Sequence, residues 1–128
     1  MKQDKKINTI DDLKIGTIFR CSWGNMSDFY ELIGKTNKSV KLRELQWETG
    51  LGPDGKPEED PTWRWGHIVR DEKGNVVPEL DQFTGKEIIY TKRIIDLPNG
   101  GITFKSPNYD GQASVRIAES DYAHMYWG

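Results

Sequence analysis

The residues best equipped for chemistry are few and far apart. Cys21, His67 and His124 are the one cysteine and the two histidines of the chain. A thiolate and two imidazoles are zinc ligands, but a zinc site gathers about four such groups at a recognisable spacing. The chain has no C-x-x-C and no H-x-x-x-H. A cysteine nucleophile needs a histidine partner and a lowered pKa. Cys21 alternates with Phe19 and Trp23 on one apolar strand face, which predicts a buried, inert thiol. A serine triad lacks the G-x-S-x-G elbow that would present its nucleophile. Gly50, Gly52 and Gly55 spell G-x-G-x-x-G. That fingerprint serves a dinucleotide only where the glycines open a helix whose N-terminus meets the pyrophosphate. Here Pro53, Pro57 and Pro61 forbid the helix and Glu58-Glu59-Asp60 repel phosphate, so the stretch reads as a loop. The expectation is a protein with no catalytic residue, no metal and no cofactor.

Binding chemistry is better represented. Trp63, Arg64 and Trp65 follow closely on Glu58, Glu59 and Asp60. Indole, guanidinium and carboxylate together suit a protein partner, and these six residues are the expected contact set. A second set, Lys41, Arg43, Lys92 and Arg93, falls on predicted strands. Basic residues beside aromatic ones line single-strand nucleic-acid grooves. The charge balance favours the first set. The net charge is −2, whereas nucleic-acid binders carry a basic excess. Residues 1–50 hold nine Lys/Arg and seven Asp/Glu, and residues 51–128 hold nine and thirteen, giving +2 and −4.

These residues hang on a framework that begins at Gly16 and runs to Gln46. Thr17 to Trp23 alternates with period two, as a half-buried strand does. Gly24-Asn25 turns the chain. Phe29 to Thr36 is aromatic and β-branched. Thr36 to Ser39 has hairpin-loop composition, and Val40 to Leu45 completes a meander. Leu45 and Trp47 break the phase set by Val40 and Leu42, which predicts a β-bulge near Glu44. Residues 48–85 read as an excursion from this framework: a long loop, then a hairpin over Thr62 to Val77 on which Trp63, Trp65, His67 and Val69 share a face. Glu87 to Asp96 is apolar on both faces and reads as a central strand. Ile102 to Lys105 and Ala113 to Ile117 are further strands. Thr9 to Leu13 reads as a capped turn with Ile10 and Leu13 plugging one end of the core. Glu119 to Trp127 has Tyr122, Met125 and Tyr126 at helical spacing and a cap at Ser120. Met1 to Asn8 is a polar leader expected to fray.

The fold expected is therefore mostly β. It is one domain over residues 1–128: a small bent antiparallel sheet or SH3-like barrel of roughly six to eight strands by the spacing of turn signals. Short terminal helices and the inserted hairpin complete it. A single cysteine excludes an intrachain disulfide and fits a reducing cytoplasm. No apolar run is long enough for a membrane span, and the polar Met1 to Lys6, with no apolar run behind it, leads to the expectation of no signal peptide. Five tryptophans in 128 residues are read mainly as core, with the remainder at an interface.

Several segments resemble one family. They are Gly16-Thr17-Ile18-Phe19, Ser22-Trp23-Gly24, Asp28-Phe29-Tyr30 and Val40-Lys41-Leu42-Arg43-Glu44-Leu45. They are similar to small proteins encoded by bacteriophages and plasmids, whose members read G-D-I-x-x-x-S-W-G-Y, a spacer, D-F-Y-x-V, a hairpin and V-x-[IL]-R-x-[IL]. Thr91-Lys92-Arg93 and Tyr122 to Gly128 resemble the same pattern; the segment 48–85 does not. The resemblance implies a mobile-element setting in a bacterial cytoplasm. It also implies a stoichiometric inhibitor of host defence, of the anti-CRISPR kind, that binds a CRISPR effector nuclease and catalyses nothing itself.

Overall fold

The two-residue turn Gly24-Asn25 sets the first hairpin. Gly24 takes φ +54°, which costs glycine no Cβ clash, and Trp23 lies directly opposite Met26. A computed structural model describes residues 3–126. Its strands, in chain order, are β1 (Ile18–Trp23), β2 (Met26–Lys35), β3 (Ser39–Glu44), β4 (Trp47–Gly50), β5 (Trp63–Ile68), β6 (Ile89–Arg93), β7 (Ile95–Asp96), β8 (Ile102–Thr103), β9 (Ser114–Ile117) and β10 (Tyr122–Tyr126). One antiparallel sheet has the order β6-β3-β2-β1-β9, a second β10-β5-β4, and β7 and β8 pair with each other. The chain is a single small, mostly-β domain of bent antiparallel sheets. Its five-stranded sheet stays open, with β6 and β9 as edges.

Alternation along β2 divides the interior in two. Tyr30 and Leu32 face a core shared with Phe19, Cys21, Val40, Leu42, Phe104 and Val115. Phe29 faces the other way and packs with Leu45, Ile68, Ala123 and Met125. Burying an apolar side chain of this size contributes about 1.5–3 kcal/mol. The second sheet exists because Phe29 and Ile18 leave an apolar patch on the back of the first, and a sheet must cover such a patch. No helix among the described residues is long and apolar enough to cross a membrane.

The structure corrects the expected layout in five places. The 48–85 segment is no excursion: β4 and β5 are two of the three strands in the second sheet. The third strand is β10, where a capped helix was expected over Glu119 to Trp127. Ala123 and Met125 are buried while His124 and Tyr126 are exposed, a period-two pattern that a strand against a core satisfies and a helix does not. Of that stretch, Trp127 lies outside the described residues. The bulge sits at Ile33, between Leu32 and Gly34 in the pairing with β3, and not near Glu44. The phase break after Leu42 has a different cause. Leu42 belongs to the first core and Leu45 to the second, so the chain crosses between sheets there. β6 is an edge strand rather than a central one, and Ile89 is accordingly exposed. The leader is docked from Asp4 on: Lys5 bridges Ile117 and Ile7 lies in the first core.

The remaining turns match the expectation. Ile10–Asp12 is a 3-10 turn, with Leu13 buried and Ile10 packed on the first core. Its cap comes from Asp12, whose carboxylate accepts the Asn8 and Thr9 N–H groups at 2.9 and 3.1 Å. The Asp71 to Asn75 turn returns the chain through a single bridge, Arg70 to Val76.

Candidate recognition surface

The outer face of the second sheet collects the aromatic residues. On β5, Gly66 and Ile68 face inward. A Cβ on Gly66 would meet the Met125 methyl at 2.8 Å and the Trp47 ring at 3.2 Å, so only glycine lets β5 lie this close to the core. Trp63, Trp65 and His67 therefore take the outer side. On β10, burial of Ala123 and Met125 turns Tyr122, His124 and Tyr126 outward. The register sets Tyr126 opposite Trp63, His124 opposite Trp65 and Tyr122 opposite His67.

These six rings form one ladder. The His124 imidazole stacks on Trp65 at 4.4 Å and on Trp63 at 4.7 Å, each within 25° of parallel. Tyr126 tilts against Trp63 at 5.3 Å, and Tyr122 meets Trp65 edge-on at 6.4 Å. Aromatic pairs of this kind add about 0.5–1.5 kcal/mol each beyond area burial, so the ladder is stiff although its outer face meets solvent.

The loop between β4 and β5 leans on this ladder at two points. Gly52 lies flat on the Trp65 indole, where a Cβ would stand 2.7 Å from Nε1. Farther along, the Glu58 carboxylate bonds His124 Nε2. The Asp60 N–H and then His124 hold the Glu58 carboxyl below its ordinary pKa. Asp60 accepts the N–H and hydroxyl of Thr62 at 3.0 and 2.7 Å, which holds its own carboxyl low. Glu48 approaches His67 at 3.8 Å from the other margin. Asp54 and Glu59 on the same loop are exposed, so the segment beside the aromatic surface is rich in carboxylates.

Of the six residues expected to bind a partner, Glu58, Trp63 and Trp65 come together here. Glu59 is exposed on the rim, and Asp60 shapes the loop. Arg64 takes the opposite side of β5, where its guanidinium donates to the Pro61 and Trp63 carbonyls. Tyr122, His124 and Tyr126 escaped the sequence reading because helical spacing was preferred; their strict alternation with Ala123 and Met125 was the available signal.

The basic set does not assemble as one row. Lys41, Arg43 and Arg93 share the face of the first sheet turned away from its core, whereas Lys92 lies opposite Val40 on the other face. Arg43 is held by Glu31 and, at 3.0 Å, by Glu87. Cys21, His67 and His124 stay apart as well. Cys21 is buried in the first core, and burial pushes its thiol up to about 12. Among the described residues no three His, Cys, Asp or Glu side chains gather as metal ligands.

A second polar constellation was invisible in sequence. Asp28 and Glu44 lie under the loop that joins β8 to β9. The Asn108 amide of that loop donates to Glu44 at 2.5 Å and to Asp28 at 3.5 Å. Trp47 Nε1 donates to Asp28 at 3.3 Å, and the Tyr90 hydroxyl donates to Asn108 Oδ1 at 2.9 Å. Burial raises the pKa of both carboxyls, and the Asp28 charge raises that of Glu44 further. A cleft of about 490 Å³ between the N-terminal segment and the β7–β8 hairpin does not reach this pair. Through Asn108 the pair ties the β8–β9 loop to the sheet. Comparison with protein-family models, curated proteins and solved structures finds no match for this chain.

Proposed function

We propose that this chain is a stoichiometric protein-binding module and that the ladder is its recognition surface. The observation that carries the reading is the stacked row Trp63–His124–Trp65, partly exposed, rigid and flanked by the acidic β4–β5 loop through Glu58. Pre-ordered aromatic side chains lose little entropy on binding, and they dominate the energetics of protein interfaces. The acidic rim selects a partner whose own surface is basic and repels phosphate. Nucleases bind nucleic acid through Lys- and Arg-rich channels. A basic channel is thus the complement of this face, in keeping with the resemblance to mobile-element proteins. The partner proposed is a CRISPR effector nuclease in the bacterial cytoplasm, inhibited by occlusion of its nucleic-acid path. The basic residues Lys41 and Arg93 give the alternative, direct nucleic-acid binding, little support, because Arg43, next to Lys41 on the same face, is already paired with Glu31 and Glu87.

The test is an inhibition titration of a purified effector complex. The expected result is loss of cleavage that saturates at one chain per effector. No change in cleavage rate and no binding to any effector component overturns the reading.

A further inference from the structure

We infer that two copies of this chain join edge to edge through β6, antiparallel, about a two-fold axis at Tyr90. The backbone phase of β6 is fixed by its bonds to the first sheet. The Ile88 carbonyl accepts from Glu44, and the Ile94 N–H donates to the Lys38 carbonyl. In an antiparallel ladder such residues alternate with ones whose N–H and C=O face outward. Ile89, Thr91 and Arg93 therefore turn their backbone groups away from β3, toward a strand the monomer lacks.

The edge and the turn that leads into it expose several large apolar side chains among polar ones. Among the described residues nine large apolar side chains are exposed, and Leu80, Phe83, Ile89 and Ile95 belong to this one stretch. Phe83 is 87 % exposed, yet it is not loosely held. Asp81 accepts the N–H groups of Phe83 and Thr84 at 2.8 and 3.0 Å, and its carbonyl accepts the Gly85 N–H at 2.8 Å. A rigid turn that holds a bare phenyl ring in solvent, next in sequence to an open strand edge, marks this end of the sheet as an interaction site.

Charge identifies the partner as a second copy and selects the register. With the axis at Tyr90, Ile89 faces Thr91 of the other copy and Glu87 faces Arg93, twice by symmetry. Both are positions where the outward backbone groups meet. Each Phe83 turn then runs past Arg93 toward the other copy's Ile95. Shifting the axis to Thr91 would set Arg93 against Ile89 and Glu87 against Ile95, leaving Arg93 unmatched and Glu87 with Arg43 alone. A parallel pairing would set like charges side by side. The contact is isologous, as two-fold interfaces are. It uses the first sheet and leaves the ladder on the second sheet open in both copies.

Sedimentation velocity on the full chain from low to high micromolar concentration tests the inference, with circular dichroism as the check on folding. Wild type is expected to dimerise. Thr91→Pro removes an outward N–H that β3 does not use, and it should weaken the dimer about tenfold or more. Glu87→Arg and Arg93→Glu should each weaken it, and the double reversal should restore it. Wild type that stays monomeric throughout overturns the inference. So does a dimer that persists in folded Thr91→Pro, or single reversals that leave dimerisation unchanged.

Discussion

Substituting Gly52 by alanine should lift the β4–β5 loop off the ladder without unfolding the protein. The added Cβ would stand 2.7, 2.8 and 3.0 Å from Nε1, Cδ1 and Cε2 of Trp65. Ordinary contact begins near 3.4 Å, so the methyl group lacks roughly 0.7 Å (3.4 − 2.7). Trp65 cannot retreat, because His124 is stacked on it at 4.4 Å. The loop can, because its residues are mostly exposed. Overpacking of this kind costs about 1–3 kcal/mol. The cost is local, since the loop belongs to neither core, and the global melting temperature should hardly move. Opening the loop exposes the bonds after Glu58 and Glu59 to a glutamyl endopeptidase. If cleavage follows the open population, its rate should rise roughly fivefold to hundredfold at 25 °C. In a Trp65→Ala background the clash is gone, and Gly52→Ala should then have no further effect, a double-mutant cycle with a defined sign. Equal cleavage of Gly52→Ala and wild type, or an effect undiminished without Trp65, would refute the loop-on-ladder geometry.

The buried carboxyl pair makes stability depend on pH in the less usual direction. Burial raises the folded-state pKa of Asp28 and Glu44 above their ordinary values of 3.8 and 4.5, so the folded state binds protons more tightly than the unfolded one. Their contribution is fully present below those ordinary values and is lost as pH rises through the folded-state pKa values. Asp28→Asn should therefore raise the melting temperature at neutral pH relative to its own effect at pH 4, read by thermal denaturation across pH. A larger loss at neutral pH than at pH 4 contradicts the assignment. Cys21, buried and with its thiol pushed up to about 12, should react with a disulfide reagent only as fast as the protein unfolds. Rapid labelling in native buffer would place the thiol at the surface instead.

Much of the framework was legible because period two is a strong signal wherever one strand face is buried. Phe19 and Cys21, Val40 and Leu42, and Leu13 before the first strand all pack in the first core. What stayed hidden has identifiable physical causes. A strand of five residues such as Tyr122–Tyr126 carries two inward positions, too few to separate period two from helical spacing, and its partner β5 ends at Ile68, 54 positions before Tyr122. The second sheet was hidden for the same reason. Its strands contact each other across loops, and only the apolar back of β2, where Phe29 breaks ranks with Tyr30, betrays the need for a cover. Edge status is a property of topology, so the two apolar faces of Glu87 to Asp96 suggested a central strand. The Asp28–Glu44 pair depends on Asn108, a turn residue whose role appears only when the loop lies across the sheet. At the candidate site, composition found Trp63, Trp65 and Glu58, but the face of β5 separated Arg64 from them.

The most direct test of the ladder as recognition surface is calorimetric titration of an effector nuclease with wild type, the Trp63→Ala/Trp65→Ala double variant and the Lys41→Glu/Arg93→Glu double variant. Each should be shown folded by circular dichroism. Interface tryptophans of this kind contribute about 2 kcal/mol or more each. The account predicts that the tryptophan variant loses at least about a thousandfold in affinity while the charge variant binds as wild type does. Full affinity without the two tryptophans, or binding abolished by the charge reversal alone, contradicts it.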